Sequence, residues 1–276
     1  GWQLVDGAAA SMRIGEKLSV RAFGGLGPDI VSSALATDVQ RFGAQVGWDD
    51  NDDGDVTNAA LGYSGSLYGG ALDRQLVGGR FYARRALGTV RADVDVAMGG
   101  ADLAGTGAAG LPEHSAARLH RAWLGVTTPQ NRDVVARLRY SYYATQAWRE
   151  LATSVAWDQL VLSQRHNAVL SVDWRKASGP WVSPMLFGGY ADGEDRWDGA
   201  RLGGAVNAGF AGDSWSVHGG VSYQTGFEQT VKIDEFDMPQ RNGHIDRFAL
   251  FVGARRQVLR QLGVGARLSG TQTRVW

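Results

Sequence analysis

Two short motifs hold residues able to move a proton: Asp93-x-Asp95 and His244-x-Asp246. In an extended strand residues i and i+2 share a face, so each motif presents its pair to one side. A His–carboxylate pair can polarise a water if its strand meets the acidic pair, and that is the chemistry of hydrolysis. Asp49-x-Asn51-x-Asp53-Gly54 matches the opening half of a calcium loop, in which oxygen ligands alternate about a glycine bend. The twelfth position is Ala60 rather than a bidentate Glu, so a solvated turn is expected there, and no metal. Ser64, within Gly62-Tyr63-Ser64-Gly65-Ser66, lacks the spacing and the strand-to-helix setting of a nucleophile elbow. His114 and His166 have no partner legible in the sequence. A polar wall accounts for all of these residues without catalysis, so the chain is expected to be no enzyme and to use no cofactor.

Arginine carries a second kind of chemistry. Arg80, Arg84, Arg91, Arg137, Arg139 and Arg175 recur at mid-strand spacing with Tyr82, Tyr143, Asp93 and Asp95 on the same side. Several guanidinium groups projecting into one lumen raise its potential and favour anions or acidic polymers. Asp93, Asp95 and Asp173 can instead pair with them and stiffen the wall. Both readings stand at the level of sequence, and coding bias toward arginine would by itself explain why it far outnumbers lysine.

The elements that position these residues are strands. From Gln75 to Gly100, Val77, Gly79, Phe81 and Ala83 alternate with Arg80, Tyr82 and Arg84. After the junction Ala86-Leu87-Gly88-Thr89, Val90, Ala92, Val94, Val96 and Met98 alternate with Arg91, Asp93 and Asp95. A period of two on each side of a tight turn is a hairpin with one apolar and one charged face. The pattern recurs along the chain in seven pairs: 4–14 with 18–24, 37–48 with 56–68, the hairpin just described, 118–127 with 134–145, 168–174 with 181–191, 202–210 with 215–223, and 248–254 with 262–276. Tight and long connections alternate. The loop 101–116 is built of small residues, and the longest connection, 146–166, contains either a short helix (Trp148, Leu151, Val155) or two more short strands. Trp48, Trp174, Trp181 and Trp215 border tight turns, as expected of interface aromatics at one membrane surface.

Apolar residues facing lipid and polar residues facing a wet interior are the pattern of transmembrane barrels. The whole chain resembles a Gram-negative outer-membrane β-barrel of the porin-like kind, and its closing residues Leu262, Val264, Ala266, Leu268, Gly270 and Trp276 resemble the apolar final strand with a terminal aromatic that such proteins use for assembly. Gln272 and Arg274 depart from that pattern. The paired acids and the His/Asp pair resemble those of outer-membrane omptin proteases, but with the order of His and Asp reversed. The resemblance implies an all-β antiparallel transmembrane barrel as one domain over 1–276, in the outer membrane, acting as a channel or export pore for polar or anionic solutes or polymers. The other implied roles are a non-conducting barrel that anchors or scaffolds an envelope complex, such as one for polysaccharide export, and an outer-membrane hydrolase. Implied partners are outer-membrane lipid, envelope proteins and an anionic solute or polysaccharide. Barrels of this kind keep both termini in the periplasm, which would place these tight turns outside. Three resolutions are open: a strand count off by one near the start, strands hidden in the connection 146–166, or, the one favoured, an excerpt of about 14 strands lacking one at each end of a barrel of roughly 16.

Composition agrees with this reading. The chain has 39 Gly, 6 Pro and no Cys, so it suits a twisted sheet better than helices and holds neither disulfides nor thiolate metal sites. Its formal net charge is +0, which gives no electrostatic case for nucleic acid. No apolar run reaches the roughly 18 residues of a membrane-spanning helix.

Overall fold

The computed structural model describes residues 6–28, 35–52, 54–99, 117–129, 133–144, 163–176, 179–193, 199–212, 214–228, 243–259 and 262–275. They form fourteen strands: β1 (Asp6–Ile14), β2 (Leu18–Pro28), β3 (Leu35–Asp52), β4 (Asp55–Tyr68), β5 (Ala71–Arg85), β6 (Gly88–Ala97), β7 (Arg118–Thr127), β8 (Val134–Ala144), β9 (Ser163–Arg175), β10 (Gly179–Gly193), β11 (Gly199–Ala211), β12 (Trp215–Glu228), β13 (Gly243–Leu259) and β14 (Leu262–Val275). The strands belong to one sheet and follow one another in chain order. The chain divides into two compact units, Gly1–Leu124 with Tyr142–Gln164, and Gly125–Ser141 with Arg165–Trp276.

In the first unit the register lines up like with like. Met12, Val20, Val46, Leu61, Gly79 and Val94 are successive partners across β1 to β6, and so form one apolar row. One residue along, Arg13, Ser19, Gly47, Ala60, Arg80 and Asp93 form the row on the opposite face. The second unit repeats the arrangement. Pro184, Val206, Val221, Leu250 and Gly270 share one face, and Ser183, Asn207, Gly220, Phe251 and Ser269 share the other.

Burial is inverted relative to a water-soluble protein. Among the described residues the buried apolar side chains are few and scattered (Val39, Ala97, Val135, Tyr142, Ala144, Ile245), whereas Leu61, Leu202 and Leu268 are 63%, 64% and 79% exposed. Water would penalise such rows by about 25 cal/mol per Å² of apolar surface, whereas lipid does not. In the second unit this apolar face is bounded by aromatic side chains. Phe210 and Trp215 stack at 5.1 Å near the β11–β12 turn, and Tyr190 and Tyr223 stand toward the other end. Trp215 to Tyr223 covers about 26 Å along the strand. At a tilt near 40° that is about 20 Å of depth, close to the apolar height of an outer-membrane-type barrel. In-order antiparallel strands with one exposed apolar face and one polar face are the architecture of a transmembrane β-barrel protein, the fold class expected from the sequence.

Three local expectations are corrected. Connections do not simply alternate: β4 and β5 meet through Gly69-Gly70, whose φ values of 58° and 80° suit a two-residue hairpin turn that favours glycine. The ladder then shifts opposite Ser66 and Leu67, where Asp73 is inserted. Asp49 to Asp52 is not a loop, because these residues continue β3 and pair with Asn58, Thr57, Val56 and Asp55. Asp49 and Asn51 therefore lie along an extended ladder and do not curl about a glycine bend as calcium-loop ligands do. His166 is a strand residue of β9 and not a loop residue. The proposed loop 101–116, the candidate helix within 146–162, His114 and Trp276 lie outside the described residues.

Candidate pore wall

On the polar face of the first unit β5 and β6 bring Arg80 opposite Asp93, Tyr82 opposite Arg91 and Gly78 opposite Asp95. Asp93 accepts from Arg91 Nε at 2.9 Å and lies 3.8 Å from Arg80 Nε. It is therefore held between two cations. Asp95 meets Arg121 Nη2 of β7 at 2.6 Å. An ideal Cβ on Gly78 would lie 2.5 Å from Asp95 Oδ1, so the missing side chain gives that carboxylate its seat. The Arg91 guanidinium also stands 5.2 Å from the centre of the Trp123 ring. Arg84 is exposed at the end of β5 and makes no ion pair among the described residues. Tyr143, 45% exposed, contacts the ring of His120 at 5.3 Å.

In the second unit Asp173 accepts from both Arg137 and Ser183. Arg139 is exposed and makes no ion pair among the described residues, and Arg175 stands 5.9 Å over the ring of Trp181. The structure adds Arg201, Arg247, Arg255 and Arg267 to this face through the β10–β14 register, and Arg165 through alternation along β9. The period-two pattern could have located Arg201, between Ala200 and Leu202, and Arg267, between Ala266 and Leu268, whereas Arg165, Arg247 and Arg255 each have a polar neighbour that blurs the alternation. Nothing in the sequence could have located the buried group Ser66, Asp73 and Arg74. There Asp73 accepts from Ser66 Oγ at 2.7 Å and from Arg74 Nε at 2.9 Å, and this depends on the inserted residue in β5.

The four tryptophans divide between faces. Trp48 pairs with Leu18 and Ala59 on the apolar side, Trp174 alternates with Asp173 and so shares the side of Leu170 and Val172, and Trp215 stacks on Phe210. Trp181 pairs with Gly209 on the polar face. His166, for which the sequence shows no partner, sits 2.9 Å from Tyr140 Oη and contacts the ring of Tyr190, on the apolar side.

The would-be hydrolytic residues do not form a polar-face site. His244 and Asp246 lie 3.4 Å apart, but they share their face with Phe248, Leu250 and Val252. Among their partners are the hydroxyls of Thr225 and Tyr223. Asp93 and Asp95 are already bound to arginine on the polar face. No cluster of three or more metal-ligating side chains occurs among the described residues. Beyond the strands, Lys17 in the β1–β2 turn binds Asp50 at 2.8 Å, and that hydrogen bond raises its pKa above the ordinary lysine value.

No family model matches the chain, and no curated protein matches it. Two solved structures are similar over most of its length. In-vitro folded OmpT, an outer membrane protein of Vibrio cholerae in its trimer form, shares 7% identity at a TM-score of 0.41, with 97% of this chain and 89% of that chain covered. A loop L8 deletion mutant of OmpT, an outer membrane protein of the same organism, shares 8% identity at a TM-score of 0.39, with 97% and 94% covered.

Proposed function

We propose that the chain lies in the outer membrane of a Gram-negative cell and forms a passage for anionic or polar solutes or polymers, with its polar face as the wall. The observation that carries this reading is the charge of that face in the second unit. Arg137, Arg139, Arg165, Arg175, Arg201, Arg247, Arg255 and Arg267 stand there, and Asp173 pairs with Arg137, whereas Arg139, Arg175 and Arg267 have no carboxylate partner among the described residues. A unit anion about 5 Å from one guanidinium gains about 3 kcal/mol at an effective dielectric of 20, and less than 1 kcal/mol in bulk water. A confined basic wall therefore concentrates anions where open solvent would not. In the first unit Asp93 pairs with Arg80 and Arg91, and Asp95 with Arg121, which favours a stiffening role for that part of the wall.

The test is reversal potential across a planar bilayer under a salt gradient. The wild type should conduct with anion preference, and Arg139→Glu together with Arg201→Glu should lower or invert it. Stable insertion without current would favour the scaffolding barrel, and a cation preference in the wild type would sink the reading.

A further inference from the structure

We propose that the polar face of the second unit carries two binding stations for an acidic oligosaccharide, Trp181 with Arg175 and Phe251 with Arg267; this rests on reading that face as a pore wall. Each station is built in three layers. At the bottom is a glycine of the neighbouring strand: an ideal Cβ on Gly209 would lie 2.7 Å from Cε2 of Trp181, and one on Gly220 would lie 2.7 Å from Cε1 of Phe251. Lacking that carbon, each glycine lets a large ring lie against the sheet. Above the ring stands a guanidinium, Arg175 with its Cζ 5.9 Å from the Trp181 centroid and Arg267 with its Cζ 4.6 Å from the Phe251 centroid.

Neither arginine has a carboxylate partner among the described residues. Stacking on a ring orders a guanidinium and, unlike a carboxylate, leaves its charge and its hydrogen-bond donors available. That distinguishes these two from Arg137, which Asp173 neutralises. Asn207 and Ser269 share the cross-strand row of Phe251 and supply amide and hydroxyl groups beside the stations.

The ligand follows from these three chemistries in combination. The half-exposed part of each ring that the sheet and the guanidinium leave open takes apolar C–H groups of a pyranose, the ordered guanidinium takes a carboxylate in bidentate fashion, and side-chain amides and hydroxyls take sugar hydroxyls. A uronic-acid oligosaccharide offers all three, whereas an inorganic anion uses the guanidinium alone. Trp181 and Phe251 lie three strands apart, about 15 Å, so one extended ligand rather than a single sugar engages both.

Titration calorimetry of the full chain in detergent micelles tests this without requiring conductance. Hexagalacturonate should bind at least tenfold more tightly than neutral maltohexaose and than hexaglutamate, which has charge but no pyranose face. Trp181→Leu, Phe251→Leu, Arg175→Gln and Arg267→Gln should each weaken hexagalacturonate about tenfold, whereas the ring-conserving Trp181→Phe and Phe251→Tyr should retain most of the affinity and guard against loss of folding. Equal affinity for hexaglutamate and hexagalacturonate, or indifference to the ring substitutions, overturns the stations. Anion-selective current without hexagalacturonate preference leaves the channel standing and removes the stations; tight binding by a barrel that passes no current does the reverse.

Discussion

Replacing Leu268 by Arg separates a lipid-facing strand from a water-facing one. Leu268 is 79% exposed, so in water the change removes almost no packing and should cost within about 0.5 kcal/mol. Its depth sets the expectation for lipid. Leu268 pairs with Val252, and Val252 with Gly219, which lies midway between Trp215 and Tyr223. That is about 13 Å along the strand from either aromatic, or about 10 Å in depth at the usual tilt, which places it near the bilayer centre. An arginine there costs about 2 to 4 kcal/mol, so the unfolding equilibrium should shift by about 30- to 1000-fold. The neighbouring Ser269→Arg points to the polar face and should change stability by no more than about 0.5 kcal/mol. Urea titration of the chain folded into phospholipid vesicles, followed by tryptophan fluorescence, reads both. Equal effects of the two substitutions, or a loss below about 0.5 kcal/mol for Leu268→Arg, would refute the assignment of faces.

Two further outcomes follow from the same geometry. Gly203→Ala places a carbon 2.6 Å from Cε2 of Phe187 and 2.6 Å from the carbonyl oxygen of Tyr223, and should cost about 1 to 3 kcal/mol in the urea assay, whereas Gly79→Ala, with nothing within 4 Å of the new carbon, should be close to neutral. Asp173→Asn releases Arg137 from neutralisation, so anion preference in the bilayer should rise while stability falls by about 1 kcal/mol; an unchanged reversal potential would show that this pair lies away from the conducting path.

The strand framework was legible because a period of two survives wherever one face meets lipid and the other meets polar surroundings. Val77 to Ala83 and Val90 to Met98 fall on the expected side, and so do the arginines that alternate with them. Partner choice was harder to read. Whether Arg80 and Arg91 face an acid or open space depends on register, which the alternation alone leaves undetermined by any even number of residues. The inserted Asp73 was hidden for the same reason, since a bulge shifts the pattern without changing which residues look polar. Trp181 was misleading because tryptophan beside a turn suits a membrane interface, while its pairing with Gly209 is what seats it on the polar face.

The rings laid over glycine have a consequence for how the strands find one another. Sliding β10 along β11 by two residues keeps polar on polar and apolar on apolar, so hydrophobicity cannot detect the error. The same slide takes Phe187 off Gly203 and sets it against Ala205 or Arg201, and it takes Trp181 off Gly209 and onto Asn207 or Ala211. The bulky ring and the bare backbone thus act as a key and its notch, cut at two levels of the same hairpin. The glycines record the alignment of the strands, a piece of information that the alternating pattern does not contain.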